Sequence, residues 1–330
     1  MMMQRRASAR ESALRPWIER DAAHNRHLVV TVDLGRIRSN VEAISQSCRV
    51  PVMPVVKADA YGLGMLTICD CICDLASAFC VFQLEEAVRK NLAARTGRRV
   101  LALGPPSSLD PEVYLTHRVT PSVADVESAR LLRKARPALC VDTGMQRFSC
   151  PADQIERALR AGECTEIFAH GTRKEHAARV AEVAHGRDAF RHVAASALLL
   201  EPDSHLDAVR PGLAMYEGAV EAAIPLHEVH RSAGPAGYSE FEGPYHGVIL
   251  AGYAQGLRKG PCLINGRLSR IVEVGMQSAY VSTAAQDRPG DKVMLLGHEL
   301  TASTVAAAWG TSPHEVLISL TREASRVYRY

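Results

Sequence analysis

Long hydrophobic runs are absent from this 330-residue sequence. No stretch of about 18 apolar residues occurs, so no transmembrane helix is expected. Aromatic residues are also scarce, at 5%, and the arginines are scattered without the interleaved aromatic side chains of a nucleic-acid-binding stripe. The formal net charge of +3 and the hydrophobic content of 47% are ordinary for a globular protein. We therefore expect a cytoplasmic protein that has neither a membrane nor a nucleic acid as its partner.

Metal-binding and disulfide patterns are missing as well. The nine cysteines include Cys69, Cys71, Cys73 and Cys80, but none forms a CxxC pair. The HxxH pair at 227 and 230 stands alone, and two ligands do not make a metal site. We predict free thiols in a reducing compartment and no metal. Residues 1–27 are basic and polar and lack an apolar segment, which indicates a loosely ordered extension rather than a signal peptide.

A repeated pattern occupies the middle of the chain. A short apolar run, a Gly, Pro or polar break and a stretch of helical periodicity follow one another eight times, which favours a (β/α)₈ TIM barrel over the alternative of an open, doubly wound sheet. The eight runs are Val52–Lys57, Ala78–Phe82, Arg99–Gly104, Arg118–Val123, Ala138–Gly144, Glu166–Gly171, His192–Ala197 and Ala208–Gly212.

The helical periodicity of the sequence stops beyond about Glu221. Segments such as YHGVILAGYAQG, CLINGRLSRIVEVG and DKVMLLG read as strands with glycine turns, and one helix is expected in TASTVAAAWG, where Thr301 caps the start and Gly310 follows the end. A mostly β domain is therefore predicted to follow the barrel.

The carboxyl ends of the barrel strands carry a coherent set of side chains. In a barrel of this kind, chemistry is located at those ends. A lysine can hold an aldehyde as a Schiff base, hydroxyl groups and backbone N–H groups suit a phosphate, and an arginine can bind a carboxylate through two hydrogen bonds. Pyridoxal phosphate offers the aldehyde and the phosphate, and an amino acid offers the carboxylate. The residues are Lys57, Tyr61, Arg147, His170, Ser196, Arg210, Gly212 and Leu213.

Six segments in order resemble the motifs of the alanine racemase family, the barrel-type class of pyridoxal phosphate enzymes. The first is VVKADAYGLG around Lys57, and the others are VDTGMQRF, VRPGLAMYEG, GYAQG, GMQSAYV and LTASTVAAAWGTSPHEVL. The resemblance extends from about Leu28 to the end of the chain.

The resemblance implies both a fold and a mechanism. The implied fold is a barrel at 38–222, a β domain at 223–330 and a first strand at 28–37 that joins the β domain. The implied assembly is a homodimer in which the β domain completes the partner subunit's active site. The implied reaction is racemisation of alanine or a related amino acid by two bases on opposite faces of the cofactor-bound substrate, since an α-proton must leave one face and return to the other. These bases are Lys57, which also carries the cofactor, and Tyr253, which His170 adjusts.

The remaining roles also follow from the resemblance. The phosphate is held by the side chains of Tyr61 and Ser196 and by the backbone N–H groups of Gly212 and Leu213. Arg210 donates to the pyridine nitrogen. Arg147 and the backbone of Met276 bind the substrate carboxylate.

Five positions depart from the family pattern. Cys140 replaces a lysine, often carbamylated, that braces the substrate-binding arginine, so Arg147 must be held otherwise, by chloride or by a different carboxylate. Gln255 and Gln277 each replace an acid, and Ala195 replaces an asparagine. Arg322 stands where a phosphate-binding tyrosine is common. These changes predict a substrate other than alanine, such as a larger or modified amino acid.

Two other functions stay open. The first is a different reaction of the same cofactor on an amino acid: decarboxylation, aldol cleavage or epimerisation of a derivatised substrate. The second is a non-catalytic protein that binds pyridoxal phosphate. Retention of both Lys57 and Tyr253 favours the racemase, because one-sided chemistry has no need of a second base.

Overall fold

The computed structural model describes residues 27–330, so the predicted extension lies outside it except for His27. The described chain divides into two compact units. The barrel unit comprises Thr31–Val220, Pro313–Ile318 and Tyr328–Tyr330, and the β unit comprises, of the described residues, 27–30, Glu221–Ser312 and Ser319–Val327. Compared with the predicted range 223–330, the β unit starts two residues earlier, and Pro313–Ile318 and Tyr328–Tyr330 cluster with the barrel instead.

The first strand is shorter than predicted. Strand β1 is Val29–Asp33, and residues 34–37 belong to helix α1, Leu34–Cys48, rather than to the strand at 28–37. The strand ends here because the Asp33 carboxylate accepts a hydrogen bond from the backbone N–H of Arg36 at 2.7 Å and caps the helix.

The barrel unit alternates strands and helices as predicted. After α1, the chain forms α2 (Met65–Ile72), β2 (Ala78–Val81), α3 (Leu84–Lys90), α4 (Leu92–Thr96), β3 (Arg99–Ala102), α5 (Pro111–His117), β4 (Val119–Thr120), β5 (Ser122–Val123), α6 (Val126–Leu131), β6 (Ala138–Cys140), α7 (Ile155–Gly162), β7 (Glu166–Gly171), α8 (Lys174–Val183) and β8 (Phe190–Ala194).

The strands pair in parallel and close into a ring. One ladder runs β2-β3-β4 and the other β5-β6-β7-β8, and Pro121 separates β4 from β5. The first and last predicted runs complete the ring through single bridges rather than full strands: Val55 with Cys80, His192 with Ala208, and Val52 with Val209. The barrel prediction is therefore confirmed.

A buried charge cluster lies at the amino ends of the barrel strands. Glu166, the first residue of β7, pairs with His192 at 2.8 Å and with Arg99, the first residue of β3, at 2.5 Å. Burial opposes ionisation of Glu166, but hydrogen bonds from both partners lower its pKa to about 2. Burial also lowers the pKa of His192 to about 4, so its imidazole is neutral near pH 7.

The β unit is built on a nine-stranded sheet. The strands that follow the barrel are β9 (Val220–Pro225), β10 (Glu228–Arg231), β11 (Tyr245–Ile249), β12 (Gly260–Ile264), β13 (Arg267–Val274), β14 (Ala279–Ser282), β15 (Lys292–Leu296) and β16 (Ser325–Arg329). Together with β1 they form a sheet with the order β10-β11-β14-β13-β12-β15-β9-β1-β16. Its pairs among β9–β15 are antiparallel.

Two helices, rather than the one predicted, interrupt these strands. Helix α9, Ala302–Trp309, begins after Thr301, whose hydroxyl accepts from the N–H of Thr304, and ends at Gly310. Helix α10, Pro313–Thr321, starts three residues after Gly310 and was missed by the sequence interpretation. No helix among residues 27–330 is both long and apolar enough to cross a membrane.

Candidate active site

Lys57 opens a left-handed turn at the carboxyl end of the first barrel run. Four consecutive residues, Ala58 to Tyr61, have positive φ angles of 54° to 59°, and Gly62 continues the turn at 78°. Each non-glycine residue in this conformation costs about 1–2 kcal/mol. The lysine therefore leaves the barrel through a backbone that the surrounding structure must hold in place.

Two carboxylates hold this turn. Glu86 of α3 accepts hydrogen bonds from the N–H of Ala58 at 2.7 Å and from the N–H of Phe82 at 2.6 Å. Asp59 accepts from the N–H of Met65, the first residue of α2, at 3.1 Å. The sequence interpretation missed Glu86. Its signal was the capping pattern of QLEE, because Glu86 also accepts from the N–H of Gln83, three residues earlier.

Positive charge is concentrated in one cavity at the barrel mouth. Lys57, Arg147 and Arg210 line it together with His170, and its volume is about 550 Å³ including the open mouth. Among the described lining residues, Asp142 is the one carboxylate. Burial and the charge of Arg147 lower the pKa of Lys57, an effect that Glu86 partly opposes. This cavity favours an anionic ligand and an amine that loses its proton readily.

Arg210 is buried, with 4% of its surface exposed. Its guanidinium donates to the carbonyl oxygens of Ala169 and Val193 and lies 5.0 Å above the Phe168 ring. Its Nε–H is buried and has no hydrogen-bond acceptor among the described residues. Because an unpaired buried donor is costly, this group is suited to a ligand acceptor.

His170 is a neutral base in this setting. Desolvation by the barrel rim, followed by the positive charges of Arg210, Lys57 and Arg147, lowers the pKa of His170 to about 4. The imidazole side of the cavity can therefore accept a hydrogen bond without adding charge.

Tyr61, Ser196 and Gly212 come together as a polar clasp, in which Tyr61 follows Lys57 by four residues and Gly212 follows Arg210 by two. The Ser196 hydroxyl accepts from the N–H of Gly212 at 3.0 Å and from that of Ala214 at 3.1 Å. A Cβ atom at Gly212 would lie 2.3 Å from the Tyr61 hydroxyl, so only glycine allows this approach. Leu213, which the sequence predicted as a backbone donor, lies between these two residues in the chain. The sequence interpretation did not include Ala214, because its N–H becomes available only at the start of the 3₁₀ helix Leu213–Tyr216.

A tight loop presents Arg147. The Asp142 carboxylate accepts from the N–H of Gly144 at 2.9 Å and of Gln146 at 3.0 Å, and these bonds lower the pKa of Asp142. The Arg147 guanidinium carbon lies 5.7 Å from the centre of the Phe148 ring. The expected substitute carboxylate is not found: within residues 27–330, no acidic side chain forms an ion pair with Arg147.

Cys140, which stands where the family has a lysine beside the substrate-binding arginine, supplies no charge to Arg147. The side chain is buried in the barrel core with Cys80 and Phe168. Burial raises the pKa of the Cys140 thiol to about 12, so it is neutral at physiological pH. Arg147 is therefore positioned by its loop and by an aromatic neighbour.

Tyr253 and Met276 lie side by side in the β unit. The N–H of Tyr253 donates to the carbonyl of Gly275, and the N–H of Ala254 donates to the carbonyl of Met276, both at 3.0 Å. Gly252 allows this contact, because a Cβ there would lie 2.2 Å from the Gly275 oxygen. Both side chains are exposed, Tyr253 by 56% and Met276 by 62%.

The other departures have simple structural accounts. Gln255 accepts from the N–H of Gly252 at 2.9 Å, a bond that an amide makes as well as a carboxylate. Ala195 precedes the short helix that starts at Ser196, and Gln277 is exposed in the turn after β13. Arg322 is exposed in the β unit. No group of three or more His, Cys, Asp or Glu among the described residues could hold a metal ion.

Fold and site together define a (β/α)₈ protein with a cationic, lysine-containing pocket and an attached β unit. Comparison with known proteins makes this more specific. The sequence matches the family model of the alanine racemase N-terminal domain over residues 32–219 and that of the C-terminal domain over residues 242–328. The chain belongs to the alanine racemase family.

Individual relatives agree with this assignment. The alanine racemase of Pectobacterium carotovorum is 30% identical, over 88% of this chain and 96% of that protein. The crystal structure of alanine racemase from Streptomyces coelicolor is similar with a TM-score of 0.84 at 26% identity, covering 93% of this chain and 99% of that one. A Bartonella henselae alanine racemase with covalently bound pyridoxal phosphate shares the fold, with a TM-score of 0.83 at 23% identity over 92% and 99% of the chains.

Proposed function

We propose that this protein is a pyridoxal phosphate-dependent amino-acid racemase. The observation that carries the proposal is the cavity in which Lys57, Arg147 and Arg210 converge, while Asp142, the one carboxylate among its described lining residues, accepts from backbone N–H groups. Such a site requires an anionic ligand, and the lysine adds the capacity to bond an aldehyde. The names of the curated relatives support the racemase assignment.

The residues present fit pyridoxal phosphate. Lys57 would hold the aldehyde carbon, Arg210 would donate its unpaired Nε–H to the ring nitrogen, and the clasp of Tyr61, Ser196 and Gly212 would hold the phosphate. Because arginine stays protonated and can only donate, the ring nitrogen would carry no proton. Bound pyridoxal phosphate supplies the electron sink that stabilises negative charge at the substrate α-carbon.

Lys57 and Tyr253 would be the two bases. The lowered pKa of Lys57 favours the neutral amine, which is the form that accepts a proton. Tyr253 would exchange the proton on the opposite substrate face, with His170 beside it as a neutral partner. We propose a homodimer in which the partner subunit supplies Tyr253 and Met276, and the exposure of both side chains is what such an arrangement needs.

Arg147 would bind the substrate carboxylate together with the Met276 backbone. Cys140, which is buried and neutral, replaces a charged brace, and no acidic side chain among residues 27–330 forms an ion pair with Arg147, so this arginine meets the carboxylate with its full charge. The preferred substrate is alanine or a larger relative, and initial rates across a panel of L- and D-amino acids decide between them.

Two measurements test the reaction. Borohydride reduction followed by peptide mapping should place the cofactor on Lys57. Incubation of the holoenzyme with single enantiomers in deuterated water should give the opposite enantiomer with deuterium at the α-carbon. Release of CO₂ or an aldehyde would instead select a different reaction of the cofactor, and a labelled Lys57 without turnover would select a binding protein.

Subunit mixing tests the shared site. Lys57→Ala and Tyr253→Phe should each be inactive as homodimers. If the two residues of one site come from different subunits, random re-association should restore about a quarter of wild-type activity, because half of the dimers are mixed and each has one intact site. If each chain builds its own site, mixing should restore nothing.

A further inference from the structure

Phe82 follows strand β2 and lines the same cavity as Lys57 and Arg147. Its ring centre lies 6.1 Å from that of Phe148, and the two ring planes meet at 60°. Aromatic rings prefer tilted or offset arrangements at centre distances of about 4.5–7 Å, so the two rings attract each other. This aromatic pair joins the end of β2 to the loop that carries Arg147, two segments that are far apart in the chain.

Phe82 is the fixed member of the aromatic pair. Its N–H donates to the Glu86 carboxylate at 2.6 Å, and its carbonyl oxygen accepts from the N–H of Gly104 at 2.8 Å. The ring also packs closely on Gly104, since a Cβ atom there would lie 3.1 Å from two ring carbons of Phe82. Glu86 accepts from the N–H of Ala58 as well, so the same carboxylate holds Phe82 and the turn after Lys57.

Phe148 is the member that needs support. It has a positive φ angle of 51°, which an L-residue keeps only where the surrounding structure holds it, and 48% of its surface is exposed. The Arg147 guanidinium carbon lies 5.7 Å from the centre of this ring, within the range of a cation–π contact. No acidic side chain among residues 27–330 forms an ion pair with Arg147, so the aromatic ring is the neighbour suited to hold its side chain.

We infer that Phe82 is a positioning residue for Arg147 and that it acts through Phe148. The fixed ring holds the second ring in place, and the second ring holds the guanidinium at the cavity. The aromatic pair thereby takes the place of a charged neighbour, and the arginine keeps its full charge for a carboxylate. The inference rests on the proposed function, in which Arg147 binds the carboxylate of an amino acid.

Two ligands that differ by one carboxylate test this role. The holoenzyme is titrated with racemic alanine, because turnover does not change the composition of a racemate, and with ethylamine, which is alanine without its carboxylate. The absorbance of the bound cofactor reports the binding of both. The variants are Phe82→Leu, Phe148→Leu, Phe148→Tyr and Arg147→Gln, and Phe190→Leu is the matched control. Phe190 is a half-buried phenylalanine at the opposite, amino end of the barrel strands, where it packs against the barrel core.

We expect Phe82→Leu to weaken the binding of racemic alanine about three- to tenfold and that of ethylamine less than about twofold, because only alanine has a carboxylate for Arg147. Phe148→Leu should give the same selective loss, and Phe148→Tyr, which keeps the ring, should keep most of the affinity. The double variant Phe82→Leu/Phe148→Leu should bind no more weakly than the weaker single variant, since both residues act through one contact. Phe190→Leu should lower the urea midpoint and leave the ratio of the two affinities unchanged.

Equal losses for the two ligands in Phe82→Leu, or no loss for either, would overturn the inference, as would losses that multiply in the double variant. Arg147→Gln separates this result from a failure of the proposed function. If Arg147→Gln weakens alanine alone and Phe82→Leu does not, the inference alone is wrong. If Arg147→Gln weakens neither ligand selectively, Arg147 does not bind the carboxylate, and the proposed role of this arginine and the inference fall together.

Discussion

The contact between Gly212 and Tyr61 gives a sharp steric prediction. A Cβ atom at position 212 would lie 2.3 Å from the tyrosine hydroxyl and 3.2 Å from Cζ. The first distance is far inside van der Waals contact, and Tyr61 is only 4% exposed, so its ring has little space to move. Overpacking of this kind costs about 1–3 kcal/mol, and we expect Gly212→Ala to destabilise the cofactor-free protein by that amount.

Removal of the hydroxyl should relieve most of the clash. In a Tyr61→Phe background, the nearest atom to the new methyl group is the ring carbon at 3.2 Å, a tight contact that small shifts can relax. We therefore expect Gly212→Ala to cost less than about 1 kcal/mol in that background. The double-mutant cycle compares the effect of Gly212→Ala with and without the Tyr61 hydroxyl, so the hydrogen bonds that Tyr61→Phe removes cancel. We expect a coupling energy of about 1–2 kcal/mol between the two positions.

Urea midpoints at one fixed protein concentration would measure these differences, since the stability of a dimer depends on concentration. Gly35→Ala is a matched control, because it lies in helix α1 and its new methyl group would have no neighbour closer than 3.4 Å. It should be neutral or stabilising. Equal destabilisation by Gly212→Ala in both backgrounds would refute the steric reasoning.

Three further results are expected. The free energy of unfolding should fall on acidification in two pH ranges: from 6.5 to 4, where only the unfolded chain protonates His192, and from 4.5 to 2, where only the unfolded chain protonates Glu166. Acid-unfolding curves of Glu166→Gln should be flatter in the lower range. Asp142→Ala should lower stability by about 1–2 kcal/mol by urea unfolding and raise KM more than it lowers kcat, because two loop N–H groups lose their acceptor. Arg210→Met should leave the thermal midpoint of the cofactor-free protein unchanged or raise it, while absorbance titration shows weaker binding of pyridoxal phosphate.

The sequence was sufficient for features that depend on order and spacing. Lys57, Arg147, His170 and Arg210 were each predicted at a strand end, and all four line the same cavity. This follows because the carboxyl ends of parallel strands in a closed ring face one side. The prediction required only that the strands be found, not their exact bounds.

Features that depend on three-dimensional contacts were not accessible in the same way. The first and last barrel runs are not full strands in the structure. Each pairs with its neighbours only through isolated bridges, because it shares backbone hydrogen bonds with them at only a few positions. Helix α10 was missed because Gly310 read as a stop while Pro313, three residues later, is also a suitable helix start. The left-handed turn after Lys57 has no sequence signature, because alanine and aspartate rarely adopt it.

That turn has a consequence for chemical synthesis of the protein. A D-amino acid prefers the backbone angles that cost an L-residue energy, and Ala58 holds those angles with its side chain exposed. Semisynthesis with D-alanine at this one position should therefore raise the melting temperature, whereas the mirror-image residue in the middle of helix α1 should lower it.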